Sequence, residues 1–361
     1  MKIVISAINI VDGGQLTILR DCTNCISKYF STSDIILLVN NKNLISNDNI
    51  KTIEFPKSKK NWLLRLFYEW IYFYWLSLSL NPDVWISLQD ITPIIRSRKQ
   101  YVYCHNPSPF SEKPIHLELL DLKFYLFRRF YGYLYGFFIR RNDAVLVQQD
   151  WLRDIFIAKY SLKRVITSYP YVRQESIAVK TALPPKRFIF PSLPRVHKNM
   201  TLLGDCLEIL ENDKRWNGNF YLTISGDENK YAKYLKNRYA HLKTLNFIGI
   251  MTHDEMMNSY LNYDALIFPS VLETWGLPIA EAKSFQMPIL VSDMPYAHET
   301  IGNYHSVRFF DPYDPLKLAQ LIMDLYLGKE QFFNHQFPSP RDPFTNSWDE
   351  LFKMIESDLQ I

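Results

Sequence analysis

The segment FPSVLETWGLPIAEA, residues 268–282, decides how the rest of the chain is read. The apolar run from Ala265 to Pro269 has the length of a buried strand, and Pro278 occupies the first-turn position that proline favours in a helix. Between them, a short loop holds Glu273, and Glu281 follows in the first turn of the helix. Gly276 lets the backbone approach a ligand closely, and the amides of Trp275, Gly276 and Leu277 point from the helix N-terminus, where anions are favoured. One carboxylate in the loop and one on the helix therefore flank an anion-binding helix end. Carboxylates accept from sugar hydroxyls, and such amides suit a diphosphate. A first-turn acid is also what a helix dipole favours, which would explain Glu281 alone but not Glu273 or Gly276.

Outward from this unit, strands and helices alternate along the whole chain. Before it, the pattern predicts strands at Lys2–Ile8, Ile35–Val39, Ile50–Phe55, Val84–Leu88, Gln100–Cys104, Ala144–Val147 and Arg164–Ser168. Helices are expected at Leu16–Tyr29, Trp62–Leu80, about Ile115–Arg141 and Trp151–Tyr160. The periodicity lapses over 170–186, where Pro170, Pro184 and Pro185 mark a linker. It then resumes with strands at Arg187–Pro191, Phe220–Ser225, Thr244–Ile248, Ala265–Pro269, Pro288–Ser292 and Val307–Phe310. Five helices are expected among them, with Asn199 the N-cap of the first and Asp254 of the third. Continuous apolar strands between helices imply parallel sheets covered on both faces. The expected fold is α/β, two Rossmann-like doubly wound domains facing a central cleft: 1–169, then 187–345, with a terminal helix at 348–361 that can pack back on the first.

Composition excludes several classes. Hydrophobic residues are 47%, charged residues 22% and the net charge +4, which suits a globular protein and is too weakly basic for a nucleic-acid binder. Cys22 and Cys25 form a C-x-x-C, but no second pair completes a zinc site, and with Cys104 and Cys206 they read as buried free thiols in a reducing cytoplasm. Met1-Lys2 leads straight into a strand, so no secretory leader is expected. Arg65 and Glu69 interrupt the apolar run 62–80, which favours a helix packed on a sheet over a membrane span.

The segment 268–282, the following QMPILVSD and Glu299 together resemble the retaining glycosyltransferases of family 4, which have the GT-B fold. The hallmark of that family is two glutamates separated by seven residues in a strand–loop–helix unit, and Glu273 and Glu281 match it. The resemblance covers Arg187 to about Leu327 and implies that Glu273 binds donor-sugar hydroxyls and Glu281 the nucleotide ribose. It implies contacts from Thr274 and from the amides of Trp275, Gly276 and Leu277 to sugar and phosphate oxygens. In FIFPSLPRVHKN, Lys198 matches a diphosphate-binding lysine; the family's arginine position holds Ser192, and Arg195 is the nearest substitute. Ser225-Gly226-Asp227 resembles a loop near the nucleotide.

In the first domain the match is thinner. Gly13 and Gly14 stand where the family has a phosphate-side glycine loop, though a simple turn would look the same, and G-x-G-x-x-G is lacking. His105 follows a strand, where the family often has a histidine near the donor sugar; the alternative is a histidine capping the strand end. The stretch 117–141 mixes aromatics with Lys123, Arg128, Arg129, Arg140 and Arg141 and reads equally as a buried helix or as a peripheral contact with the cytoplasmic face of a membrane.

The resemblance implies sugar transfer from a nucleotide-sugar donor to a glycan or lipid-linked acceptor, with retention, no cofactor and no metal. His105, Lys198 and Glu273 would be its catalytic residues. Two rival readings are a sugar-nucleotide epimerase of the same architecture and an inactive binding subunit of a glycan-assembly complex. Bacterial surface polysaccharide, O-antigen or capsule, is the expected product from family usage alone.

Overall fold

The computed structural model describes residues 1–45, 47, 49–111, 115, 117–170 and 184–360, and divides into two units. Most of the predicted linker, 171–183, lies outside the described residues. Unit 1 comprises 1–110, 129–171 and 340–361; unit 2 comprises 111–128 and 172–339.

Unit 1 carries strands β1 (Lys2–Ala7), β2 (Asp34–Val39), β3 (Lys51–Glu54), β4 (Val84–Ser87), β5 (Lys99–Cys104), β6 (Ala144–Val147) and β7 (Val165–Ser168). Unit 2 carries β8 (Arg187–Phe190), β9 (Asn219–Leu222), β10 (Leu245–Phe247), β11 (Ala265–Phe268), β12 (Ile289–Ser292), β13 (Tyr304–Phe310) and β14 (Phe333–His335). A last short strand, β15 (Phe344–Thr345), returns to unit 1. The first sheet runs β15-β7-β6-β5-β4-β1-β2-β3 and is parallel throughout. The second runs β10-β9-β8-β11-β12-β13-β14 and is parallel except for the β13–β14 pair.

Alternate residues of β1 show why the strands are apolar on both faces. Ile3, Ile5 and Ala7 enter a core with Leu19, Cys22 and Ile26 of the helix Gly13–Tyr29, while Val4 joins Ile36, Leu38, Phe73 and Trp85 on the opposite face. The terminal helix Trp348–Gln360 lies on the first of these faces, burying Trp348, Leu351, Phe352 and Ile355. All four cysteines are free; Cys25 is only half-buried.

Several local expectations need correction. The run 115–141 is not one helix: a 3-10 turn at Glu118–Leu120 precedes the helix Leu122–Gly136, and Phe138 turns left-handed before a second 3-10 turn at Ile139–Arg141. Asp121 accepts from the Phe124 amide and so starts the central helix. Through Arg128 this stretch groups with unit 2, not with the 1–169 domain, because Phe124 stacks on His197 and Asp121 meets Arg195. Residues 340–345 group with unit 1, since β15 extends its sheet beside β7. The third helix of unit 2 is capped by Thr252, reciprocally with Glu255, and not by Asp254. Asn199 precedes the first helix but is left-handed and gives its side chain to the Pro312 carbonyl. The short helix Pro295–Ile301 was not expected, being too brief for a periodic signal.

Candidate functional site

In unit 2, β8 has β9 on one side and β11 on the other, so the connections leave it in opposite directions. The crevice at such a switch point is where open parallel sheets bind ligands, beyond the carboxyl ends of the strands. The two loops bordering it are 191–199, after β8, and 269–276, after β11. They are stitched together by the Val271 amide donating to the His197 carbonyl at 2.9 Å.

Across that junction Lys198 Nζ lies 2.5 Å from Glu273 Oε1, with the two side chains only 17% and 13% exposed. The ammonium also stands 5.5 Å from the centre of the Phe268 ring. Glu273 is carried on a loop held from behind: Tyr296 donates to the Ser270 carbonyl at 2.8 Å, and Thr300 Oγ1 donates to the Trp275 carbonyl. Both come from the helix Pro295–Ile301. Gly276 then adopts φ +84°, and the helix Leu277–Ser284 begins. The positive φ calls for glycine, and a Cβ at Gly276 would sit 3.1 Å from Ile279 Cδ1, which would have to give by a few tenths of an ångström. Thr274 and Leu277 stand half-buried in the same turn, and Trp275 is buried.

Glu281 takes different partners. Its Oε2 accepts from Tyr260 Oη at 2.8 Å, and His253 Nδ1 lies 3.7 Å from its other oxygen. Burial pushes its carboxyl above the usual range, while the Tyr260 hydroxyl and His253 pull it back. The two glutamates are thus differentiated: Glu273 faces a cation, and Glu281 faces a phenol and an imidazole.

Arg195 lies in the same loop, but its guanidinium is half-exposed and 3.5 Å from Asp121. Ser192 links β8 to β9 through its amide, which donates to Thr223 Oγ1 at 2.9 Å. Gly226 takes φ +88°, and its amide, with that of Ser225, donates to the Glu228 carboxylate at 2.9 and 2.5 Å. That carboxylate, held below the usual range by these donors despite burial, occupies the amides of the turn.

The remaining residues expected at the site lie in unit 1. Gly13 (φ +67°) and Gly14 are exposed and open the helix Gly13–Tyr29 beyond β1. His105 follows β5, is 6% exposed, and stacks on Tyr103 with centroids 4.6 Å apart. Among the described residues its ring nitrogens find no well-formed hydrogen bond, and burial lowers its pKa, with Asp90 and the Leu88 backbone opposing, so the ring is neutral at pH 7.

Asp90, which sequence reasoning missed, holds the His105 loop. It is left-handed (φ +71°), and its Oδ1 accepts from the amides of His105 at 2.6 Å and Asn106 at 3.2 Å. Tyr135 and Tyr131 donate to the same carboxylate. Arg65 approaches through Tyr131 and the Gln89 carbonyl, and Gln89 donates to Glu69. The signal available in the sequence was the pair Arg65 and Glu69, two charges four apart in an apolar helix.

Among the described residues, no cluster of His, Cys, Asp and Glu could hold a metal ion.

Residues 173–334 match the family described as glycosyl transferases group 1. The chain is 22% identical over 244 residues to the O-antigen chain mannosyltransferase RfbU of Salmonella typhimurium, an alignment covering 65% of this chain and 64% of that protein. It is 24% identical over 203 residues to the alpha-galactosylglucosyldiacylglycerol synthase of Streptococcus pneumoniae, covering 52% of this chain and 54% of that one. The matches thus span just under two thirds and about half of these relatives' lengths. Among solved structures, sucrose-phosphate synthase from Thermosynechococcus elongatus superposes with a TM-score of 0.67 at 11% identity, over 89% of this chain and 88% of that one. That likeness establishes the fold: two parallel-sheet α/β domains of the GT-B type.

Proposed function

We propose that the chain is a retaining glycosyltransferase of family 4 type, moving a sugar from a nucleotide-sugar donor to a glycan or lipid-linked glycan. The observation that carries this reading is the meeting of Lys198 and Glu273 at the switch point of a parallel sheet, inside the segment matching glycosyl transferases group 1. A cation and a sugar-binding carboxylate are the two groups needed on either side of a sugar–phosphate bond.

In the reaction, the bond from the anomeric carbon to the diphosphate oxygen breaks, and a bond to the acceptor oxygen forms on the same face. The acceptor proton passes to the departing diphosphate. Charge builds on that diphosphate, and Lys198 with the amides of Trp275, Gly276 and Leu277 would stabilise it. Glu273 would accept from donor-sugar hydroxyls and Glu281 from the ribose, positioning without proton transfer. His105 would supply a neutral imidazole to a sugar or acceptor hydroxyl. The reading requires no metal and no cofactor. It puts the protein at the cytoplasmic face of a membrane, touching it through the stretch 117–141, in the assembly of bacterial surface polysaccharide.

A thermal-shift screen with UDP, GDP and ADP tests donor binding, since a ligand of the native state raises its stability. Donor hydrolysis or transfer, with Glu273→Ala as control, tests the chemistry. No stabilisation by any nucleotide, or activity unchanged in Glu273→Ala, would overturn the reading.

A further inference from the structure

The helical segment 62–80 of unit 1 is inside out. It is continuous through Trp62–Phe67, a π-helical turn at Tyr68–Tyr72, and Phe73–Leu80. Its buried positions fall at every fourth residue, Arg65, Glu69, Phe73 and Ser77, and include both of its charged residues. Its outward stripe is Leu63, Phe67, Ile71 and Trp75, with Leu63 79% and Trp75 65% exposed. A helix on a water-facing surface has the opposite arrangement.

Charge burial here is anchored from within the unit. Arg65 donates to the Gln89 carbonyl at 2.5 Å and to Tyr131 Oη at 3.4 Å, and Gln89 donates to Glu69. The helix is therefore held in this rotation, and the apolar stripe has no route inward.

The exposed surface continues onto the neighbouring helix. Trp70 packs edge-on against Phe137 and Phe138, each at 5.6 Å between centroids, and beyond them Tyr133 is 73% exposed and Phe137 51%. Isolated exposed apolar residues are ordinary, but a contiguous patch from two helices marks an interaction surface.

Charge around the patch selects the partner. Lys57, Lys59 and Lys60 are exposed just ahead of the segment, and Arg129, Arg140 and Arg141 are exposed on the neighbour. Residues 57–80 contain no acid except the buried Glu69, and residues 122–141 contain none. Exposed tryptophan, tyrosine and leucine in two segments whose exposed charges are all basic fit the headgroup zone of an anionic bilayer. No helix among the described residues is long and apolar enough to cross a membrane, so the contact is interfacial.

We propose that the outward stripe of 62–80, continued by Tyr133 and Phe137, docks this protein on an anionic lipid surface. This deepens the membrane contact proposed above by adding a second helix, one whose charged side chains are turned inward.

Flotation of the full chain with phosphatidylcholine vesicles, with and without phosphatidylglycerol, tests it. Binding is expected to phosphatidylglycerol vesicles and to weaken as salt rises. Leu63→Glu with Trp75→Glu is expected to weaken it by roughly tenfold or more, at an unchanged melting temperature. Alanines at Lys57, Lys59 and Lys60 are expected to weaken it less and to flatten the salt dependence. Absence of binding to phosphatidylglycerol vesicles, or binding undiminished by the double glutamate variant, would overturn the proposal. So would concentration-dependent self-association, abolished by that variant, in a protein that ignores vesicles; the patch would then seat a second copy. Vesicle binding is measured without nucleotide, so its failure leaves the donor-site reading standing, and the converse holds as well.

Discussion

Lys198 and Glu273 hold one another at 2.5 Å, so the cation and the carboxylate proposed for opposite sides of the donor bond are each other's ion-pair partners. A diphosphate must draw Lys198 away from Glu273, and the sugar hydroxyls must then replace the ammonium on the carboxylate. Each partner is thereby a competitor of the ligand it serves. Removing Glu273 removes that competition. Glu273→Ala is expected to bind a nucleoside diphosphate roughly two- to tenfold more tightly by calorimetry while losing transfer by about a hundredfold or more. Weaker diphosphate binding in that variant would argue against the competition.

The two candidate cations of loop 191–199 are unequal. Lys198 is largely buried against Glu273, whereas Arg195 is half-exposed and 3.5 Å from Asp121. A half-exposed ion pair contributes about 0–1 kcal/mol. Lys198→Ala is expected to lower kcat by about 10²–10³, as loss of a leaving-group donor does, and Arg195→Ala by only a few-fold. Equal losses would show that Arg195 leaves Asp121 to reach the diphosphate in the working complex.

Gly276 tests whether the turn or only its side chains matter. Alanine there would keep φ +84° at a cost of about 1–2 kcal/mol and press on Ile279 Cδ1 at 3.1 Å. The expected melting temperature falls by roughly 2–6 °C, and the donor KM rises because the amides of the helix start are displaced. An unchanged KM with a lowered melting temperature would confine this glycine to folding.

How much of this was legible without coordinates depended on how local the signal was. The strand, loop and helix around Glu273 and Glu281 lie within one short stretch, and Gly276 and Pro278 mark its turn by their own conformational limits. Asp90 gave no such mark. Its role comes from a left-handed backbone and from Tyr131 and Tyr135, which are 41 and 45 residues away in the chain. The strand β15 is two residues long and exists only because β7 offers an edge. For 62–80 the sequence indicates a helix packed on a sheet, but not which of its faces turns inward. The partners that turn Arg65 and Glu69 inward, Gln89 and Tyr131, lie in distant parts of the sequence. The pattern around Glu281 is local, but its partners His253 and Tyr260 come from the helix His253–Ser259 and the 3-10 turn after it, and carry no motif.

Glu281 offers a graded test. Burial raises its carboxyl pKa, and the ribose contact proposed for it is strongest with the ionised form. Donor affinity is therefore expected to fall as pH drops through a range above that of an ordinary glutamate, with kcat changing less than KM. Glu281→Gln, which cannot titrate, is expected to raise KM by roughly tenfold and to abolish that acid limb. Tyr260→Phe, by removing a donor to the carboxylate, shifts the limb to higher pH.

Glu69 links the buried cluster to stability. Burial pushes its carboxyl up to about 8, with Arg65 opposing. The folded state then holds a proton between about pH 4.3 and 8 that the unfolded chain has lost. The stabilisation from this group is complete below the unfolded value and is lost as pH rises through the folded one. Glu69→Gln keeps the oxygen that accepts from Gln89 and cannot titrate. Its melting temperature is expected to match the parent near pH 4.5 and to exceed it by roughly 3 °C or more near pH 9. If Arg65 instead depends on an anion at Glu69, the variant will be the less stable protein at high pH, and the inward anchor of the segment 62–80 will be an ion pair, not a hydrogen-bonded acid.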